Sequence, residues 1–262
     1  MIQHTNELEK SLSSGTSFFD CLKGTNLRRT EVVCFFWLVQ TLCGQNLMGY
    51  FAYFCVQAGP PTVQSFNLSL GQYALGVIGT LASWFLMSMA GRRTLHIYGL
   101  ASLFLLLVIT GSLSFAPDDN NAAKWAIGAM LIVFTFCYDC TVGPVTYSLV
   151  SELSSTRLKA KTIVLARCLY KISNIVVNVL TNYQLNDTAW GWVARSAYFW
   201  AGTCLACLIW AFFRLPEPKS RTYEELNVLF EKGTSARRFA ETQVDPYEGE
   251  ITELREDHVD KN

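Results

Sequence analysis

Six apolar stretches fill most of the chain between Val32 and Leu215: Val32–Ala58, Leu70–Met89, Thr94–Phe115, Ala122–Leu153, Ile163–Tyr183 and Gly191–Leu215. A helix needs about 20 mostly apolar residues to cross a hydrocarbon core of about 30 Å, and each stretch is long enough. A helix in a water-soluble core needs only one apolar face, so six such segments predict an all-α membrane protein with six transmembrane helices. Charged residues gather at the two ends. The pattern divides the chain into an N-terminal segment (1–31), a six-helix transmembrane domain (32–215) and a C-terminal tail (216–262). The tail is charged and weakly amphipathic at first, then acidic and expected to be disordered from Asp245 to Asn262.

The polar loops alternate in charge. Arg28 and Arg29 precede the first span, Arg92 and Arg93 follow the second, Arg157, Lys159 and Lys161 follow the fourth, and Arg214, Lys219 and Arg221 follow the sixth. The other loops, Gly59–Ser69, Ala116–Asn121 and Gln184–Trp190, contain no Lys or Arg. Basic short loops stay in the cytosol, so both termini are predicted to be cytoplasmic. Two glycosylation tripeptides, Asn67-Leu68-Ser69 and Asn186-Asp187-Thr188, fall in loops assigned to the outside but lie too close to the membrane to be expected to carry glycan. Gly59-Pro60-Pro61 ends a helix in the first outer loop.

Composition narrows the function. Hydrophobic residues make up 51% and charged residues 16%, with mean hydropathy +0.23 and a formal net charge of zero. A nucleic-acid partner would want a basic face, and none is expected. Residues 1–30 lack the basic start and apolar run of a cleavable signal peptide. Of nine cysteines, eight lie in the apolar spans, and Cys137-x-x-Cys140 and Cys204-x-x-Cys207 mimic redox or zinc spacings. On a helix that spacing only stacks two small side chains on one face, and no histidine cluster completes a metal shell. No metal or other cofactor is expected. No nucleophile–base pair or phosphate loop is present either, so an enzyme is not expected.

Four local patterns stand at matching positions around the six spans. They are Gln40-Thr41-Leu42-Cys43-Gly44-Gln45-Asn46, Gly91-Arg92-Arg93, Gly143-Pro144-Val145-Thr146-Tyr147 followed by Glu152 and Arg157, and Pro216-Glu217-Pro218-Lys219-Ser220-Arg221-Thr222. In this order they resemble the seventh-helix Gln-Gln-x-x-Gly-x-Asn, the Gly-Arg-Arg after the eighth helix, the tenth-helix Gly-Pro-x-Pro-Trp…Glu…Arg and the closing Pro-Glu-Thr-Lys-Gly-Arg-Thr of sugar porters in the major facilitator superfamily. The wording of Leu42-Cys43-Gly44, Ser151–Thr162 and Arg221–Leu226 is most similar to fungal α-glucoside (maltose-type) permeases. The resemblance covers roughly residues 25–240. It implies the C-terminal six-helix half of a twelve-span transporter, built as two three-helix inverted repeats, with substrate held between halves.

The resemblance implies sugar transport across the plasma membrane, coupled to protons in many members of the family. Partners are then a sugar, the lipid bilayer, and an N-terminal six-helix half or another protomer that supplies the missing wall. Gln40 and Asn46 match sugar-contacting positions, Thr41 stands for the family's second Gln, Tyr147 for its Trp, and Asp139 for an acidic or polar position beside the sugar. The chemistry agrees, because amides both donate and accept, and a site that excludes water must pair each sugar hydroxyl. The alternative for the amides is interhelical hydrogen bonding without a ligand. Arg92, Arg93, Glu152, Arg157, Glu217 and Arg221 match a charge network that holds the inner gate, although Ser88 replaces the acid that precedes Gly-Arg-Arg. Arg167 and Lys171 share one face of the fifth span, and an Asp139–Lys171 pair is one way to compensate charge at that depth. The rival expectations are a truncated product that does not transport, and a non-transporting sensor or regulatory half-bundle.

Overall fold

The structure, a computed structural model, describes residues 17–57, 62–117, 120–154, 157–186, 188–219, 221–233, 236 and 239. The described residues form helices and no strand. Six helical spans are long and apolar enough to cross a membrane: Gly24–Val56, Val63–Met89, Arg92–Leu113, Asn121–Leu153, Lys159–Leu185 and Val193–Arg214. The protein is a multi-pass membrane protein. The first, second and fifth helices begin at Gly24, Val63 and Lys159, before the apolar stretches expected from Val32, Leu70 and Ile163, so most of the outer loop expected over Gly59–Ser69 is helical. Hydropathy marks the part that sits in hydrocarbon, whereas the hydrogen-bond ladder runs on through the polar turns that overhang it.

The largest helix contacts join spans 3 and 6, 1 and 5, and 2 and 4. Exchanging spans 1, 2 and 3 for 4, 5 and 6 maps this set of pairs onto itself, as two related three-helix repeats require. Two of the spans are broken. Span 1 consists of α1 (Gly24–Leu42), α2 (Asn46–Gly49) and α3 (Phe51–Gln57). Its break centres on Gly44, whose φ of +90° lies in the region that glycine alone enters freely. Span 2 is α4 (Thr62–Met89) and span 3 is α5 (Arg92–Leu113), both continuous. Span 4 is split at Thr141 into α6 (Asn121–Cys140) and α7 (Val142–Leu153), just ahead of Gly143-Pro144. Proline at 144 has no N–H to return to the preceding turn, which explains the interruption. Span 5 is α8 (Lys159–Leu185), and most of span 6 is α9 (Ser196–Arg214).

The core is packed where the spans converge, around Phe36, Trp37, Leu103, Leu107, Phe134 and Trp200. The Trp200 indole N–H donates to Gln184 Oε1 at 3.0 Å, so this large side chain is buried with its polar atom satisfied. The flanking segments are also anchored. Ser17 caps a 3-10 turn over Phe18–Leu22, and its backbone N–H to Asp20 holds that carboxyl below the usual carboxylate range. The turn buries Cys21, whose carbonyl accepts from the Thr30 hydroxyl. In the C-terminal tail, α10 (Tyr223–Glu231) buries Leu226, Leu229 and Phe230. Arg29, only 6% exposed, donates to the Leu226 carbonyl at 3.1 Å and lies 4.6 Å over the Phe230 ring. The tail expected to be only weakly amphipathic thus clips onto the start of the first span. Its acidic end, Asp245–Asn262, lies outside the described residues.

Candidate functional site

The two broken spans meet. Gln40, in the last turn of α1, is 3% exposed and donates its amide to the Gly143 carbonyl at 3.2 Å. Thr41, 1% exposed, shares a hydrogen bond of 2.9 Å with the Ser173 hydroxyl of α8. In this arrangement both side chains are partnered inside the bundle. Asn46, Asp139 and Tyr147 are less enclosed. Asn46 Nδ2 donates to Asn178 Oδ1 at 3.2 Å, and the Tyr50 hydroxyl donates to Asn182 Oδ1 at 2.8 Å. Asn178 in turn donates to the Asn174 side chain. Every one of these links between spans 1 and 5 spans 132 positions, so the two helices run parallel in register. The result is a polar seam that opens on one side of the bundle.

Tyr147 is 52% exposed and its ring stands edge-on to Trp37 with centroids 4.9 Å apart. The Arg167 guanidinium lies 3.8 Å from the Trp37 centroid, 5.5 Å from that of Tyr147 and 5.8 Å from that of Tyr170. A weakly hydrated guanidinium on aromatic faces is a favourable way to hold a cation at this depth. Asp139 makes no ion pair within 4.0 Å among the described residues, so the Asp139–Lys171 pair considered from sequence does not form here. Its carboxylate instead fills the space over Gly76 of α4, where a Cβ would collide with it. Lys171 is exposed, with its ammonium 5.8 Å from the Tyr170 ring centroid. Sequence inspection passed over Trp37, Tyr170, Asn174, Asn178 and Asn182. A signal was present, since Arg167, Lys171, Asn174, Asn178 and Asn182 recur at intervals of four, three, four and four, which places them on one helical face.

The charged residues cluster at the opposite end of span 4. Arg92 pairs with Glu152 at 3.3 Å, and Glu152 also accepts from the Ser148 hydroxyl. Among the described residues Glu217 meets backbone groups and no guanidinium within 4.0 Å. Its two oxygens accept from the backbone N–H groups of Arg92 and Arg93 at 3.0 and 3.1 Å, capping α5. Gly91 makes this possible, because a Cβ there would strike the carboxylate. Lys219 completes the clasp by donating to the Met89 carbonyl at 2.8 Å, at the end of α4. Arg221 faces away, toward Glu225 at 3.6 Å and the Phe239 carbonyl at 2.9 Å. Arg157 is exposed and makes no ion pair within 4.0 Å among the described residues. Arg92, Arg93, Glu152 and Glu217 are thus joined through Arg92, whereas the described contacts of Arg221 lie elsewhere. Glu217→Ala is expected to lower stability by about 1–2 kcal/mol, the value of a charged cap on a helix N-terminus. Thermal unfolding in detergent, followed by a dye that reacts with newly exposed thiols, should show a fall of about 2–8 °C, with Glu217→Gln between the two.

The buried cysteines serve packing contacts: Cys204 donates to the Leu100 carbonyl at 3.6 Å and Cys43 to the Gln40 carbonyl at 3.3 Å. The six spans, paired as two related three-helix repeats and broken in spans 1 and 4, fit the six-helix half expected from the sequence. The chain matches the family model described as "Sugar (and other) transporter" over residues 1–230, and it belongs to that family. It is 43% identical over 247 residues to a maltose permease of Saccharomyces cerevisiae, a match covering 94% of this chain and 40% of the permease. It is 41% identical over 247 residues to the general alpha-glucoside permease and over 248 residues to an alpha-glucosides permease of the same organism, again over 94% of this chain. The chain spans about two fifths of the length of these curated relatives.

Proposed function

We propose that this chain forms one wall of a sugar carrier for α-glucosides of the maltose type. The observation that carries the proposal is the polar face of Asn46, Asp139, Tyr147 and the Asn174–Asn178–Asn182 ladder, which opens to one side of the bundle. Such groups suit a ring of hydroxyls, and lipid would offer them no partners. The identity to permeases named for maltose and alpha-glucosides supports the substrate class. A second six-helix unit, or another protomer, closes the face and supplies the opposing wall. Asn46, Asp139 and Tyr147 contact sugar, Gln40 and Thr41 hold the broken helices around it, and the Arg92–Glu152 pair with the Glu217 clasp steadies the gate. Transport then follows from rocking the two walls against each other across the site.

Uptake of radiolabelled maltose into vesicles tests this. Saturable uptake that maltose competes is expected when the chain is co-reconstituted with the N-terminal half of one of its permease relatives, and none with the chain alone. Saturable uptake by the chain alone would replace the two-wall arrangement with a homodimer. No uptake in the co-reconstituted, folded complex would remove the proposal.

The basic end is assigned to the cytosol of a plasma-membrane protein, on the strength of the uninterrupted alternation of basic and base-free loops. Single cysteines at Lys232 and at Asn120, both exposed, check it in a background without native thiols. An impermeant maleimide added to intact cells is expected to label Asn120→Cys and spare Lys232→Cys. The opposite pattern reverses the orientation.

A further inference from the structure

A groove of about 650 Å³ runs between spans 2 and 4 at the end of the bundle away from Arg92 and Glu152. Gln64, Asn67, Leu75, Trp125 and Ile132 line it, and Gln72 forms its floor. Gln72 is 1% exposed. Its amide nitrogen is used, donating to the Thr135 hydroxyl and to the Met48 carbonyl, whereas its carbonyl oxygen has no partner. A buried acceptor without a donor calls for an explanation, and this one borders the groove. Among the described residues the lining carries no ionisable side chain, and a neutral donor such as a hydroxyl suits it. Trp125, 49% exposed, offers a ring face at the mouth.

The groove lies along the same two helices that hold Asp139. Gln72 meets Thr135, and Gly76 meets Asp139, both 63 positions apart, so spans 2 and 4 run side by side in register. Trp125, Ile132 and Asp139 recur at intervals of seven within α6 and share its face. At 1.5 Å per residue, Gln64 and Gln72 are about 12 Å apart along the groove. Amides at Gln64, Asn67 and Gln72 thus call for several hydroxyls spread along one ligand, which a lipid with a single hydroxyl does not supply.

We propose that this groove is an outer carbohydrate subsite, which takes a pyranose ring of an α-linked oligosaccharide by stacking on Trp125 and accepting a sugar hydroxyl at Gln72 Oε1. The proposal rests on the sugar-carrier reading above and adds a second place of contact, nearer the mouth than Asp139. It also gives Asn67 a role apart from glycosylation. Asn67-Leu68-Ser69 lies within α4, and the Ser69 hydroxyl is turned back to the Ser65 carbonyl at 3.0 Å.

Tryptophan emission of the purified chain in lipid nanodiscs tests it with maltose as the probe. Maltose is expected to change the emission of the unmodified chain and to lose that effect in Trp125→Phe. Gln72→Leu is expected to raise the half-saturating maltose concentration roughly tenfold. Gln64→Ala, at the exposed rim, provides a milder variant with the same direction should Gln72→Leu fold poorly. Trp84→Phe, on α4 but outside the groove lining, is expected to keep the response, and a response that persists where vesicle uptake fails separates this subsite from the carrier reading. An unchanged response in Trp125→Phe, no response in the unmodified chain, or loss of the response in Trp84→Phe would each overturn the proposal. So would quenching of Trp125 by brominated acyl chains with no effect of maltose, which assigns the groove to lipid.

Discussion

Gly44→Ala is expected to destabilise the bundle by roughly 3 kcal/mol, combining backbone strain with overpacking. The residue holds φ at +90°, which a side chain rarely adopts. A Cβ there would also lie 3.2 Å from Leu107 and 3.3 Å from Trp200, both fully enclosed in the core. Neither neighbour has room to retreat, because the Trp200 indole is tied to Gln184. Loss on this scale should lower the unfolding temperature in detergent by about 6–12 °C. Gly202, where an added Cβ meets nothing within 4 Å, serves as the control, and Gly202→Ala should unfold close to the unmodified chain. Equal stability of Gly44→Ala and Gly202→Ala would mean that span 1 is not broken at Gly44.

Asp139→Asn is expected to do the opposite to stability while disabling the site. The carboxylate has no cation within 4.0 Å, and carrying a charge at mid-membrane depth costs about 2.5–3.5 kcal/mol on insertion scales. Asparagine has nearly the same shape, so it keeps the fit over Gly76 and sheds most of that cost. The variant should therefore unfold at a higher temperature. A hydrogen bond to a charged group contributes about 1.5–3 kcal/mol, so losing the charge should weaken maltose binding by roughly ten- to a hundredfold. Equilibrium binding to the chain paired with an N-terminal half measures this. Unchanged affinity in a folded Asp139→Asn complex would place the carboxylate outside the sugar site.

The spans were legible because lipid imposes its requirement on nearly every residue of a helix, so hydropathy alone locates them. The ladder on α8 was equally written in the sequence, yet asparagines at four-residue intervals attract less notice than charges. What the sequence could not convey was the choice among partners. Gln40 has an amide suited to sugar, but the carbonyl of Gly143 lies within its reach once span 4 breaks at Thr141. Glu217 has two arginines nearby, but the unsatisfied N–H groups at the start of α5 offer a carboxylate two parallel donors. Leu226, Leu229 and Phe230 mark an amphipathic turn, while the surface they cover, at Arg28 and Arg29, lies about two hundred residues earlier. Such pairings are decided by which backbone groups are left open, and that is a property of the assembled bundle.

The bond from Arg29 to the Leu226 carbonyl sets a timetable for biogenesis. The two residues are 197 positions apart, and a ribosome adding about 5–20 residues per second needs roughly 10–40 seconds to deliver the second after the first. Throughout that interval the Arg29 guanidinium stays uncovered, until α10 is made. A chain stopped before Tyr223 would insert every span and still leave this latch open. The latch thus reports whether synthesis has passed Tyr223, because only then is the Arg29 guanidinium covered.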